Sequence, residues 1–175
     1  MAETTQVATE LDPAWVEDFV QQWAAAWNSH RPDRLLALMT EDIVYDDSAW
    51  PHTMRGHADV RGFLESAWTA FPDLRFEESE GPYIAPGQPK AAFQWIGKAT
   101  HTGPLNPPGL APTGRSIEFP GADFHEYRDG RVCRLTIVFD MTDVSRQLGL
   151  MPKPGSRMEK MGAAAQRLGM KVRRR

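Results

Sequence analysis

One cysteine in 175 residues, Cys133, excludes an internal disulfide, so packing alone must hold the chain together and the thiol is expected to pack as a small hydrophobe. No apolar stretch approaches the roughly 18 residues of a membrane span. The opening residues, MAETTQVATELD, contain no basic region followed by an apolar run. A cytoplasmic protein without a membrane partner is expected. His52, His57 and His101 show no HxH or HExxH spacing, so no metal site is read from them. Pro112 interrupts residues 109–114 and removes an N–H donor that a phosphate cradle would use. Nucleophile elbow and internal repeat are both missing. What remains is chemistry without metal or cofactor.

What is present suits one globular domain with a real core, given 41% hydrophobic and 25% charged residues. The net charge of −3 hides an asymmetry: residues 151–175 carry eight basic residues and one acidic, +7, which leaves −10 on residues 1–150. An acidic body argues against nucleic acid as a partner. The organisation read from this is a flexible N-terminus over 1–11, a folded domain over 12–150, and a basic tail over 151–175. In the tail, Met158, Met161, Ala165 and Leu168 fall on one helical side. The spacing predicts a helix over about 158–168, packed on the body, with 172–175 frayed.

The remainder of the chain is arranged around residues 114–140, which read as two strands joined at Asp129-Gly130, a pair that favours a type I′ turn. Uninterrupted pairing from that turn would set His125 opposite Arg134 and Asp123 opposite Thr136. One face would then carry Asp123, His125, Tyr127, Arg134 and Thr136, and the other Phe124, Cys133, Leu135, Ile137 and Phe139. If the polar face lines a cavity, the apolar face needs cover, and a homodimer through the sheets is expected. Asp12-Pro13 starts a first helix running to about Asn28, with Trp15, Phe19, Trp23 and Trp27 on one side. A short second helix follows Pro32. Residues 43–45 form a strand ending at Asp46 and Asp47, of which only one can face inward. Val60, Phe63, Leu64, Ala67, Trp68 and Phe71 fit a third helix, two long strands follow, and TGPLNPPGLAPTGR is an irregular lid or rim. Asp140 caps a last short helix.

This order of elements, together with AFPDL at 70–74, the loop HTGPLNPPGLAPTGR, the RDGRV hairpin tip and the ending FDMTDVSRQLGL, resembles the SnoaL-like polyketide cyclases of the nuclear transport factor two-like superfamily over about residues 15–150. The resemblance implies an α+β fold: a cone-shaped barrel of curved, mainly antiparallel sheet wrapped around three helices, with a deep pocket and usually a dimer. It places the cyclases' pocket histidine on His125. It places their acid/base aspartate on Ile137, so that carboxylate is missing and Asp140 is the nearest substitute. In the more distant ketosteroid isomerases the base aspartate ends the first strand, shortly before a glycine ahead of the third helix. Asp46 and Gly56 occupy those places, and the enolate-stabilising tyrosine falls on Trp23.

Isomerisation and aldol closure both begin by removing a proton beside a carbonyl, which asks for a base and an oxyanion donor. Asp46 is the candidate base, and His125, Tyr127 or Arg134 the candidate donors. Trp23, Trp27, Trp50, Trp68, Trp95, Leu110, His52, Asp123 and Asp140 complete the expected binding set. The expected partner is a small hydrophobic carbonyl compound, polyketide or steroid-like, turned over by a cyclase- or isomerase-type enzyme. The alternative is a non-catalytic small-molecule binder on the same scaffold, favoured by Ile137.

Overall fold

The computed structural model describes residues 10–172. The expected flexible N-terminus falls almost entirely outside the described residues, as do the last three residues of the expected frayed end. Helix α1, Pro13–Asn28, starts where Asp12 accepts the Ala14 N–H and Pro13 occupies the first turn. It buries Val16, Phe19, Val20, Trp23, Ala26 and Trp27. Helices α2, Pro32–Leu36, and α3, Gly56–Ala70, follow the expected order. Six strands are β1 Met39–Asp47, β2 Met54–Arg55, β3 Arg75–Ile84, β4 Lys90–Thr100, β5 Ser116–Arg128 and β6 Arg131–Phe139. Helix α4, Met141–Gln147, is capped by Asp140, which accepts from the N–H groups of Thr142 and Asp143. Helix α5 spans Arg157–Val172.

The architecture is α+β, a single sheet of order β2-β1-β6-β5-β4-β3. All neighbours pair antiparallel except β1 with β6, which run parallel. The ends of that order stay unjoined, so the sheet is an open cone rather than a closed barrel. Helix α1 packs against β3 and α3 against β1, and the core fills the space between helices and sheet.

The hairpin turn forms as its sequence predicts, with Asp129 and Gly130 both at positive φ (53° and 71°). The register beyond it is corrected. Arg128 pairs with Arg131 and Tyr127 with Val132, but Glu126 then pairs with Arg134. Cys133 is the extra residue of a bulge, its thiol directed at the Glu126 carbonyl. A one-residue slip exchanges the faces of a strand. Leu135 and Ile137 therefore share the inner face with Asp123, His125 and Tyr127, while Arg134, Thr136 and Val138 point outward with Phe124. Of the apolar face that was expected to call for a sheet-to-sheet dimer, Leu135 and Ile137 are covered by the protein's own core, whereas Phe124 stays half exposed on the outer face beside Val138.

The tail is helical, yet Met158, Met161 and Leu168 are about 70% exposed, so the expected packing of this helix on its own body does not occur. Closer to the core, residues 102–115 are anchored at their start by Thr102 and Gly103, whose N–H groups both donate to the Ala70 carbonyl. A Cβ on Gly103 would lie 1.9 Å from the Thr69 carbonyl oxygen. Gly103→Ala is expected to lower stability by about 1–3 kcal/mol through this overpacking, read as a lower urea midpoint with unchanged slope.

Candidate functional site

The inner face of the sheet carries its functional groups on adjacent rungs. Asp47 on β1, Ile137 on β6 and Asp123 on β5 stand side by side, and the next rung holds Tyr45, Leu135 and His125. The position that the cyclase resemblance assigns to a carboxylate is thus an isoleucine flanked by a carboxylate on either strand. Asp123 is 2% exposed and has three partners. The indole N–H of Trp23 donates to Oδ2 at 3.0 Å, that of Trp95 donates to Oδ1 at 2.7 Å, and His125 Nε2 lies 3.4 Å from Oδ2. His125 Nδ1 is 3.1 Å from the Tyr127 hydroxyl, an arrangement in which the phenol donates to Nδ1 and Nε2–H faces the carboxylate. Phe19, Trp23 and Phe93 enclose the imidazole edge-on. Burial, with the Asp123 charge second, holds the Tyr127 phenol above its ordinary value.

A cavity of about 260 Å³ opens beside this network. Its wall is mostly aromatic and aliphatic, with Trp27, Phe63, Phe76 and Trp95 from the helices and sheet, Trp50 from the loop after β1 and Phe71 from the end of α3. Leu105, Pro107, Pro108 and Leu110 of the 102–115 loop and Val144 and Leu148 of α4 complete it, so that loop is a rim, as its composition predicts. Among the described residues, the one ionisable side chain on the wall is Asp47. Its Oδ1 accepts the Ala49 N–H at 2.7 Å and its Oδ2 faces the Tyr45 hydroxyl at 3.4 Å. Burial raises its pKa to about 6, with the Asp123 charge adding to the rise and the Ala49 N–H opposing it. Tyr45, wholly buried, is pushed well above the usual phenol value by the same burial and by both carboxylates.

Several expected site residues lie elsewhere. Asp46, the expected base, points to the outer face because β1 alternates and Ile43 and Tyr45 already face inward. It accepts from the Thr53 hydroxyl at 2.5 Å and sits 4.0 Å from Arg134 Nη1. Arg134, carried outward by the bulge, and exposed His52 stay on that outer side. His125 and Tyr127 are sealed in the core behind Trp23 and Phe19, away from the cavity wall. Trp23 is a buried donor to Asp123, and Trp68 packs on Trp27 and His30. Trp27, Trp50, Trp95 and Leu110 do line the cavity, whereas Asp140 serves as the α4 cap. Asp47 was not among the expected site residues: alternation parts it from Asp46, but the unbroken apolar run Ile43, Val44, Tyr45 does not say which of the two turns inward. Among the described residues no group of three or more His, Cys, Asp or Glu is placed to hold a metal ion, and no helix is long and apolar enough to cross a membrane.

These features, an open α+β cone whose inner sheet face and helices enclose an apolar cavity, are those of the nuclear transport factor two-like cone fold. The model of the SnoaL-like domain matches residues 20–135, and the chain belongs to that family. Among solved structures it is similar to AclR, a proposed hydroxylase from Streptomyces galilaeus, at 21% identity and TM-score 0.69, covering 93% of this chain and 98% of that one. TsrD from Streptomyces laurentii is 22% identical at TM-score 0.68, covering 81% and 100%. IdmH, a proposed polyketide cyclase from Streptomyces antibioticus, is 23% identical at TM-score 0.63, covering 76% and 97%. At these identities the likeness concerns the fold. No curated protein matches the chain by sequence.

The raised pKa of Asp47 has a consequence for stability. Its folded value of about 6 lies above the unfolded 3.8, so its contribution is fully present below pH 3.8 and lost as pH rises through 6. Asp47→Asn removes that loss while keeping an oxygen for the Ala49 N–H. The variant is expected to be more stable than the parent above pH 6, by on the order of 2–3 kcal/mol, with the difference vanishing near pH 4 in urea titrations.

Proposed function

We propose that the protein is a cofactor-independent enzyme of the cyclase or isomerase type, which removes a proton beside the carbonyl of a small hydrophobic compound, with Asp47 as the base. The observation that carries this reading is the carboxylate, single among the described residues, on a mostly apolar cavity wall, its pKa raised to about 6 by burial. Such a group is ionised at neutral pH yet more basic than an exposed aspartate, which suits carbon-acid deprotonation. The proton passes to the Asp47 carboxylate and the electron pair moves onto the carbonyl oxygen as an enolate. Of the two side-chain hydroxyls that the described residues bring to the wall, that of Ser66 already donates to the Asn106 carbonyl. Ser145 is then the hydroxyl that meets the enolate oxygen. The Asp123, His125 and Tyr127 chain acts from behind the wall: it fixes Trp95 and places a second negative charge where it raises the basicity of Asp47.

Cavity size narrows the substrate. A dry apolar cavity of about 150 Å³ holds one benzene ring. On that scale about 260 Å³ holds two fused rings, and a four-ring steroid skeleton would have to protrude past the 102–115 rim. A flat bicyclic ketone meeting Trp27, Trp50 and Trp95 fits best. The second reading, a non-catalytic binder, rests on Ile137 in place of the cyclase carboxylate.

Hydrogen–deuterium exchange at the α-carbon of 2-tetralone, followed by NMR, separates the two. An enzyme should accelerate exchange with a rate that rises with pH through about 6. Asp47→Asn should lower it by about 10²–10⁴-fold, while Asp46→Asn stays within a few fold of the parent. Tryptophan quenching by the ketone without exchange above background, and an effect of Asp47→Asn on affinity alone, would establish the binder instead.

A further inference from the structure

The tail helix and the acidic body form an unpaired complement. Helix α5 places Met158, Met161, Ala165 and Leu168 at alternating steps of three and four, a heptad seam, and every described side chain along it is exposed. Arg157, Lys160 and Arg167 fall on the adjacent flank at helical spacing, so the basic charge borders the seam on one side. Ser156 accepts the Glu159 N–H and Glu159 accepts the Gly155 N–H, which closes the first turn. Two glycines, Gly162 and Gly169, lie within it. A 16-residue helix of this composition is marginal when it stands alone in water, so its exposed seam calls for a surface.

The body offers one of matching charge. Residues 10–30 and 76–89 contain no lysine or arginine, and they fold into two elements that pack on each other, α1 and β3. Glu17 stands on the same side of α1 as Ala24 and Asn28, the residues that face β3, and Glu78 reaches into that seam from the strand. Asp18 carries the acidic strip further around the helix, and all three carboxylates are exposed. The chain's own α5 leaves this strip uncovered.

We propose that α5 of one copy docks along the acidic α1/β3 strip of a second copy, its basic flank against Glu17, Asp18 and Glu78 and its methionine seam toward the groove between helix and strand. Residues 149–156, with Pro152, Pro154 and Gly155, connect the helix to α4 and let it reach away from its own body. Because α5 adds nothing to the core, a chain ending at Leu150 keeps the whole fold and serves as the control.

Sedimentation equilibrium of the full chain at micromolar concentration should show self-association that weakens at least about tenfold between low and about 0.5 M salt. It should be lost on ending the chain at Leu150, in Met161→Asp/Leu168→Asp, and in Glu17→Lys/Glu78→Lys; both variants are to be checked for unchanged melting of the body. A monomer at every concentration overturns the proposal. So does an oligomer that survives truncation, or one that responds to the α5 changes but not to the α1/β3 charge reversal. Binding of α5 to anionic phosphatidylserine vesicles without self-association would also overturn it and assign the helix to a lipid surface.

Discussion

The Asp123 carboxylate and the groups that surround it are the constraint on which the site depends. Burying a charge costs several kcal/mol unless it is well partnered, and here the partners come from three separate elements. Trp23 brings α1, Trp95 brings β4, and His125 comes from β5 itself, with Tyr127 behind it. Satisfying one carboxylate therefore fixes the angle of the first helix on the sheet and the orientation of two tryptophans. Trp95 forms part of the cavity wall on its other side, so the polar core and the apolar cavity share one side chain.

The same carboxylate acts on Asp47 through charge. Ile137 separates the two along one rung of the sheet, close enough for like-charge repulsion to add to the desolvation that raises Asp47. In the arrangement that the resemblance implied, the middle position of this rung would itself bear the acid/base group. The present chain puts an apolar side chain there and a carboxylate on each neighbouring strand, one sealed and hydrogen-bonded, the other open to the cavity. Division of that kind gives each carboxylate a different environment, and environment is what separates a structural anion from a base.

Two local features decide which groups take part. The bulge at Cys133 turns Leu135 and Ile137 inward and Arg134 outward, which removes a cation from the neighbourhood of the inner carboxylates. A guanidinium beside Asp47 would have pulled its pKa down. Parity along β1 does the rest: Asp46 meets Thr53 on the wet side, and Asp47 turns into the cone.

Helix periodicity, the caps at Asp12 and Asp140, the Asp129-Gly130 turn, the order of elements and the proline-rich rim were all legible in the amino-acid sequence, because each depends on residues within a few positions of one another. The identity of the inward carboxylate was half legible, since alternation said that Asp46 and Asp47 must part but Val44 is as apolar as its neighbours and left the choice open. Only the tertiary structure could decide the register of β6, the sealing of His125 behind Trp23, and the exposure of α5. A bulge changes the count along a strand without any mark in its composition. A hydrogen-bonded core is assembled from residues as far apart as Trp23 and Asp123, and an apolar stripe does not say which surface it meets.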